Sequence, residues 1–83
     1  MNHNTNGHKE MQYRVIIWHN EEDDVYIAEC PALEGCMTDG ATFDEAAANI
    51  KDAVACHVSA LKKLGKPIPS EKDAFEGSVR VAV

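Results

Sequence analysis

Residues 31–64 read PALEGCMTDGATFDEAAANIKDAVACHVSALKKL, and their reading decides the fold. Pro31 and Gly35 bracket a turn, Cys36 to Asp39 form a short strand, and Gly40 opens a second turn into the one long helix of the chain. Thr42 is the N-cap: its hydroxyl is placed to accept a first-turn N–H, and Glu45, three residues on, reaches back to complete a capping box. Asp44 and Glu45 put negative charge at the positive end of the helix dipole, and Lys62 and Lys63 put positive charge at the other. Gly65 follows as a left-handed C-terminal cap, and Pro67 forbids continuation. At 100° per residue, Phe43, Ala46, Ala47, Ile50, Val54, His57, Leu61 and Leu64 form one apolar stripe, with Asp44, Lys51, Asp52, Ala55, Ser59, Lys62 and Lys63 opposite. A helix from Phe43 to Leu64 is about 33 Å long. The stripe must be buried, and the rest of the chain offers only strands.

Working outward, Met11 to His19 (MQYRVIIWH) is β-branched and aromatic, hence a strand. Asn20 to Asp24 is a hairpin loop, and Val25 to Cys30 is a second strand that Pro31 ends. With the strand at Cys36 to Asp39, three antiparallel strands form a meander. Beyond the helix, Lys66 to Ser70 is a stiff connector and Glu71 to Glu76 a loop. Gly77 to Val83 (GSVRVAV) alternates as a terminal strand, with Val79, Val81 and Val83 on one face. The order is βββαβ: an α+β domain with a fourth strand docked parallel to the first by a right-handed crossover. Residues 1–10 are polar, lack periodicity and read as a mobile tail, leaving 11–83 as the domain. His3 and His8 in that tail lack companions at metal-ligand spacing.

One helix covers one sheet face. Val15 and Ile17 pair naturally with the valines of the last strand, which leaves Arg14, Ile16 and Trp18 on the open face. An exposed sheet face bearing Trp and Ile marks an interaction surface. A chain of 83 residues buries only about 60–65% of its unfolded surface, so self-association to a dimer or tetramer is expected to support it.

The net charge is −6 and uneven. Residues 1–50 hold two basic and ten acidic residues, while 51–83 hold six and four. The acidic half speaks against nucleic acid as the main partner, because phosphate binding requires clustered Lys and Arg. It suits a basic protein, with Glu21, Glu22, Asp23 and Asp24 at the hairpin tip as a contact candidate. The same acids also serve simply to solvate a surface. No run is long enough to span a membrane, and three cysteines without framework spacing fit reduced thiols in a cytoplasm.

Chemistry-bearing patterns are few. Cys30, Cys36 and His57 allow a thiol nucleophile or a zinc site on paper, yet Cys-x5-Cys is no recognised ligand spacing. Buried cysteines behave as small hydrophobes, and His57 lies at the centre of the apolar stripe. The acidic loop lacks the glycine and distal Glu of a calcium site. No phosphate-cradling loop, nucleophile elbow or His-Glu-x-x-His motif is present. No cofactor or metal and no enzyme activity is expected.

The pattern Tyr13, then Glu29-Cys30-Pro31-x-Leu33-x-Gly35-Cys36, then Gly40-x-Thr42-x-x-Glu45-Ala46-x-x-Asn49-Ile50-x-x-Ala53, then Gly65-x-x-Ile68-Pro69, resembles the HicB antitoxin family. Asn49 sits at the edge of the apolar stripe, where its amide is placed to hold the preceding turn. The resemblance implies a partial ribonuclease-H-like fold. It also implies a partner: HicB proteins neutralise HicA, a small basic toxin that cleaves messenger RNA, by covering its nuclease surface. An orphan HicB-like module that binds some other protein is the alternative. Ribonuclease-H enzymes hold Mg²⁺ with carboxylates on the first strand; Met11 to His19 has none, so the implied fold is catalytically empty. Many HicB antitoxins continue into a DNA-binding module. This sequence closes on its last strand, and direct DNA binding is not expected of it.

Overall fold

Thr42 starts the helix as its side chain predicts. The computed structural model of the chain describes residues 11–71 and 78–82, and α1 runs Phe43–Lys63. Thr42 is extended, with φ −131° and ψ 165°, and its Oγ1 accepts the Glu45 N–H at 3.1 Å. The Glu45 carboxylate accepts the Ala41 N–H at 2.9 Å, one residue outside the cap. At the other end Gly65 is left-handed (φ 69°). The Gly65 N–H donates to Lys62 O at 3.1 Å and the Lys66 N–H to Leu61 O at 2.9 Å, the bond pair of a Schellman cap. Thr42→Ala is expected to remove about 1 kcal/mol. That corresponds to a thermal midpoint lower by roughly 4–8 °C in a domain of this size, read by circular dichroism.

Three strands form the sheet: β1 Ile16–Asn20, β2 Val25–Glu29 and β3 Met37–Gly40, antiparallel in the order β1-β2-β3. The hairpin loop between β1 and β2 is closed by short polar side chains. Asn20 Oδ1 accepts the Asp23 N–H, Asp24 takes a left-handed φ of 53°, and its carboxylate lies 2.9 Å from His19 Nε2. Between β2 and β3 the chain makes two successive turns: Leu33 N–H to Cys30 O at 3.1 Å, then Cys36 N–H to Leu33 O at 3.0 Å. Pro31 is the second residue of the first turn. Gly35, with φ 79°, is the third residue of the second, where a type II turn demands positive φ. These turns drive Leu33 inward. It is 1% exposed and joins Ala28, Cys30, Cys36, Ala46 and Ile50 in the core, with Tyr13, Ile17, Tyr26, Ala53, Val54 and Val58 packed around it.

Gly40 sets how closely helix and sheet approach. A Cβ there would lie 2.5 Å from the Ala46 nitrogen. With Ala28 and Ala46 both at 0% exposure, small residues line the whole crossing. Asn49 secures it, its side-chain amide donating to the Asp39 carbonyl at 2.8 Å.

Several expectations need correction. The first strand is shorter than Met11 to His19, beginning at Ile16. Residues 13 and 14 bond instead to the connector that follows the helix: the Tyr13 hydroxyl donates to the Pro69 carbonyl, and the Arg14 N–H to Glu71 Oε2 at 2.9 Å. The second strand stops at Glu29 and the third runs one residue later than expected. Residues 78–82 carry no strand, so the fourth strand is not seen among the described residues.

The stripe also differs. Phe43 and Leu64 are exposed, and Ala53 and Val58 pack instead. A helix of 21 residues spans about 31 Å. Five-residue strands span only about 16 Å, so the helix is longer than the strands it packs on. The expected tail 1–10 and the ends of the last strand, Gly77 and Val83, lie outside the described residues.

Candidate functional site

The pleat assigns each strand residue to one of two faces. Ile17 pairs with Ala28, and Ala28 with Thr38. This row, with Tyr26 and Gly40, lies under α1. The other row faces away from the helix. Across it Ile16 is opposite Glu29 and Trp18 opposite Ile27, while Ile27 is opposite Asp39 and Glu29 opposite Met37. Ile16 is 46% exposed, Trp18 39% and Met37 54%. The open face is therefore an apolar patch with two carboxylates set into it, Glu29 at one end and Asp39 at the rim. Ile27, Met37, Thr38 and Asp39 line a shallow depression on β2 and β3.

The sequence-chosen residues do not all gather there. Ile16 and Trp18 share the open face. Arg14 precedes β1 and is half-buried, held through its backbone to the connector. Glu21, Glu22, Asp23 and Asp24 are exposed on the hairpin loop at the end of β1. Sequence reading missed Ile27, Met37, Glu29 and Asp39 as parts of the same surface. Alternation along VYIAE puts Val25 and Ile27 on one face, but aligning them with Trp18 requires the hairpin register.

The cysteines divide by position. Cys30 and Cys36 are buried and Cys56 is exposed. Burial pushes the Cys30 and Cys36 thiols up, away from the thiolate a nucleophile or metal ligand requires. Burial, together with the neighbouring Cys30 and Glu71, likewise pushes the Tyr13 phenol up. Among the described residues no three His, Cys, Asp or Glu side chains converge as a metal-ligating group, and no helix is long and apolar enough to cross a membrane.

In native protein, iodoacetamide is expected to label Cys56 and to reach Cys30 and Cys36 only after denaturant is added, as counted by mass spectrometry. Equal labelling of all three would restore the thiol reading. The raised thiols also set a pH dependence. Folded chains hold these protons more tightly than unfolded ones, so the contribution is complete at neutral pH and is lost as pH climbs past about 8.5. Urea midpoints are expected to be level below that pH and to fall above it.

The described residues thus form a small sheet with one face under a helix and the other open, with Cys30 and Cys36 buried. Residues 13–79 match the model of the HicB-like antitoxins of bacterial toxin–antitoxin systems, and the chain belongs to that family. It is 44% identical over 61 residues to a UPF0150 protein of Thermoplasma acidophilum, covering 74% of this chain and 87% of that one. It is 35% identical over 63 residues to a UPF0150 protein of Synechocystis, covering 76% and 80%. No solved structure matches it. Family membership makes a toxin the kind of partner to expect.

Proposed function

We propose that this chain neutralises a small basic, messenger-RNA-cleaving toxin of the HicA kind by protein–protein contact in the cytoplasm, itself self-associated. The observation that supports this reading is the open sheet face, where Ile16, Trp18, Ile27 and Met37 surround carboxylates and no basic residue enters the cross-strand rows. Buried apolar anchors supply affinity, and an acidic surround attracts a basic partner and speeds its approach. The hairpin acids Glu21 to Asp24 extend the negative surface beyond the sheet.

The face alone is small. Three strands about 4.8 Å apart, two of five residues and one of four, cover roughly 220 Å², against roughly 800 Å² per partner in a stable complex. The hairpin and further surface must contribute.

The test is capture of partners from the native host with this chain as bait, followed by an RNA-cleavage assay on the retained material. The expected result is a small basic ribonuclease, silent while bound and active once separated. Its association rate should fall as salt rises, because the contact is charge-steered. Retention of a different protein, with no ribonuclease recovered, overturns the toxin reading in favour of an orphan binding module.

A further inference from the structure

Two carboxylates stand in the apolar open face without a counter-charge. Glu29 on β2 is half-buried and Asp39 on β3 is exposed. Glu29 pairs with Met37, and Asp39 lies two residues further along β3. The two acids are therefore diagonal neighbours across the β2–β3 ladder, roughly 7–8 Å apart and within reach of one long side chain. No Lys or Arg enters the paired rows of this face. Among the described residues the ion pair is that of His19 with Asp24, on the hairpin. Beside the two acids lies the depression lined by Ile27, Met37, Thr38 and Asp39, about 300 Å³ in volume. That is the small end for ligand pockets, and it suits a single inserted side chain. Among the described residues no third ligand joins the carboxylates to hold a metal ion.

We propose that this depression seats one arginine side chain of the partner protein, its stem along Ile27 and Met37 and its guanidinium between Asp39 and Glu29. The reasoning starts from burial. A partner that covers Ile27 and Met37 also takes both carboxylates out of water. An ionised carboxylate desolvated without a counter-charge is strongly disfavoured. The affinity stored in the apolar patch is therefore open only to a surface that brings a cation to this spot. The diagonal spacing selects among cations. A guanidinium is a planar fork that donates along two edges, so it holds a carboxylate on each side, whereas an ammonium is a point charge. Guanidinium is also the more weakly hydrated of the two, and gives up water more readily against Ile27 and Met37. The hairpin acids Glu21 to Asp24 act differently. They are exposed on a loop, and they attract any basic surface from a distance. Glu29 and Asp39 read one residue, and so decide which basic partner fits.

The proposal rests on the open face being the contact surface of the proposed function, but it is tested on this chain alone. N-acetylarginine amide is titrated into isotope-labelled protein, with N-acetyllysine amide in parallel, and side-chain carboxyl and methyl resonances are followed by NMR. Saturable shifts are expected at Asp39 and Glu29 and at the methyl groups of Ile27 and Met37. Binding of the lysine amide, and of the arginine amide to the variant D39N, should be weaker by about tenfold or more, as the loss of one charged hydrogen bond implies. D39N leaves the backbone carbonyl that Asn49 holds, so its far-ultraviolet spectrum should match the wild type. D52N, on the far side of the helix, should bind the arginine amide as the wild type does. Shifts no larger at Asp39 than at Glu21 to Asp24 overturn the proposal. So do shifts that never saturate, an equal response to the lysine amide, or undiminished binding by D39N. The two readings fail separately. Arginine amide bound at Asp39, with no ribonuclease captured, supports this site and removes the toxin. A captured and silenced ribonuclease, with an Asp39 that ignores the arginine amide, supports the toxin and overturns the site.

Discussion

Gly40→Val is expected to unfold the domain at physiological temperature, and Gly40→Ala to destabilise it severely. Gly40 has no left-handed φ to excuse the glycine; space alone requires it. A Cβ would stand 2.5 Å from the Ala46 nitrogen and 2.9 Å from the carbonyl carbon and Cβ of Glu45. Two of those three atoms are backbone. They belong to the first turn of α1, which the Thr42 and Glu45 caps hold in place, so no flexible side chain can swing aside. Relief comes only by lifting the helix N-terminus from β3, which exposes Ala46 and Ile50 and stretches the Asn49 contact with Asp39. Overpacking a well-packed site typically costs 1–3 kcal/mol and occasionally more. With backbone as the obstacle, about 3 kcal/mol for alanine and more for valine is expected. A domain of this size has about 4–12 kcal/mol in total at roughly 0.05–0.15 kcal/mol per residue. Urea denaturation followed by circular dichroism measures the effect. Gly35→Ala is the control. Nothing lies within 4 Å of its added Cβ and only the positive φ resists, so about 1 kcal/mol is expected there. A Gly40→Ala variant within 0.5 kcal/mol of wild type, a margin ordinary for surface changes, would mean that helix and sheet do not approach as closely as described.

The second large effect is functional. Trp18→Ala and Ile16→Asp are each expected to weaken toxin binding by about 30-fold or more, the loss of at least 2 kcal/mol that defines a central aromatic or apolar anchor. Folding should survive both. These side chains face away from α1, and the cross-strand pair of Trp18 with Ile27 is worth roughly 0.2–1 kcal/mol. Calorimetric titration against the captured toxin, alongside its RNA-cleavage assay, separates affinity from stability. Reversing Glu21, Glu22, Asp23 and Asp24 to lysine should act differently, slowing association and flattening its salt dependence. Lys51→Glu, on the far side of the helix, should change little. Full neutralisation by both Trp18→Ala and Ile16→Asp would remove the open face from the proposed mechanism.

The candidate site was partly legible in the chain. Ile16 and Trp18 stand out because Trp and Ile alternate on a strand with too few helices to cover both faces. Their neighbours Ile27 and Met37 did not, since each comes from a different strand and joins the patch only through pairing register. Leu33 was equally hidden as a core residue. It lies between two turns with no periodicity of its own, and only the fold shows it to be 1% exposed.

What the amino-acid order determined by itself is α1 and the tight turns, because every interaction that defines them is local. Thr42 meets Glu45 three residues on, Gly65 and Lys66 cap carbonyls three and five residues back, and Gly35 supplies a φ that its turn demands within four residues. What only the tertiary structure decided rests on contacts between distant parts of the chain. Glu71 meets Arg14 across 57 positions, which ties the connector after the helix to the segment before β1. Ala46 lies against Gly40, which makes a glycine a matter of space rather than of conformation. The helix outruns the sheet because nothing in a helical repeat encodes the length of the strands beneath it. Local propensity sets where an element begins and ends. The packing of elements against one another decides which face is buried and which is left open to a partner.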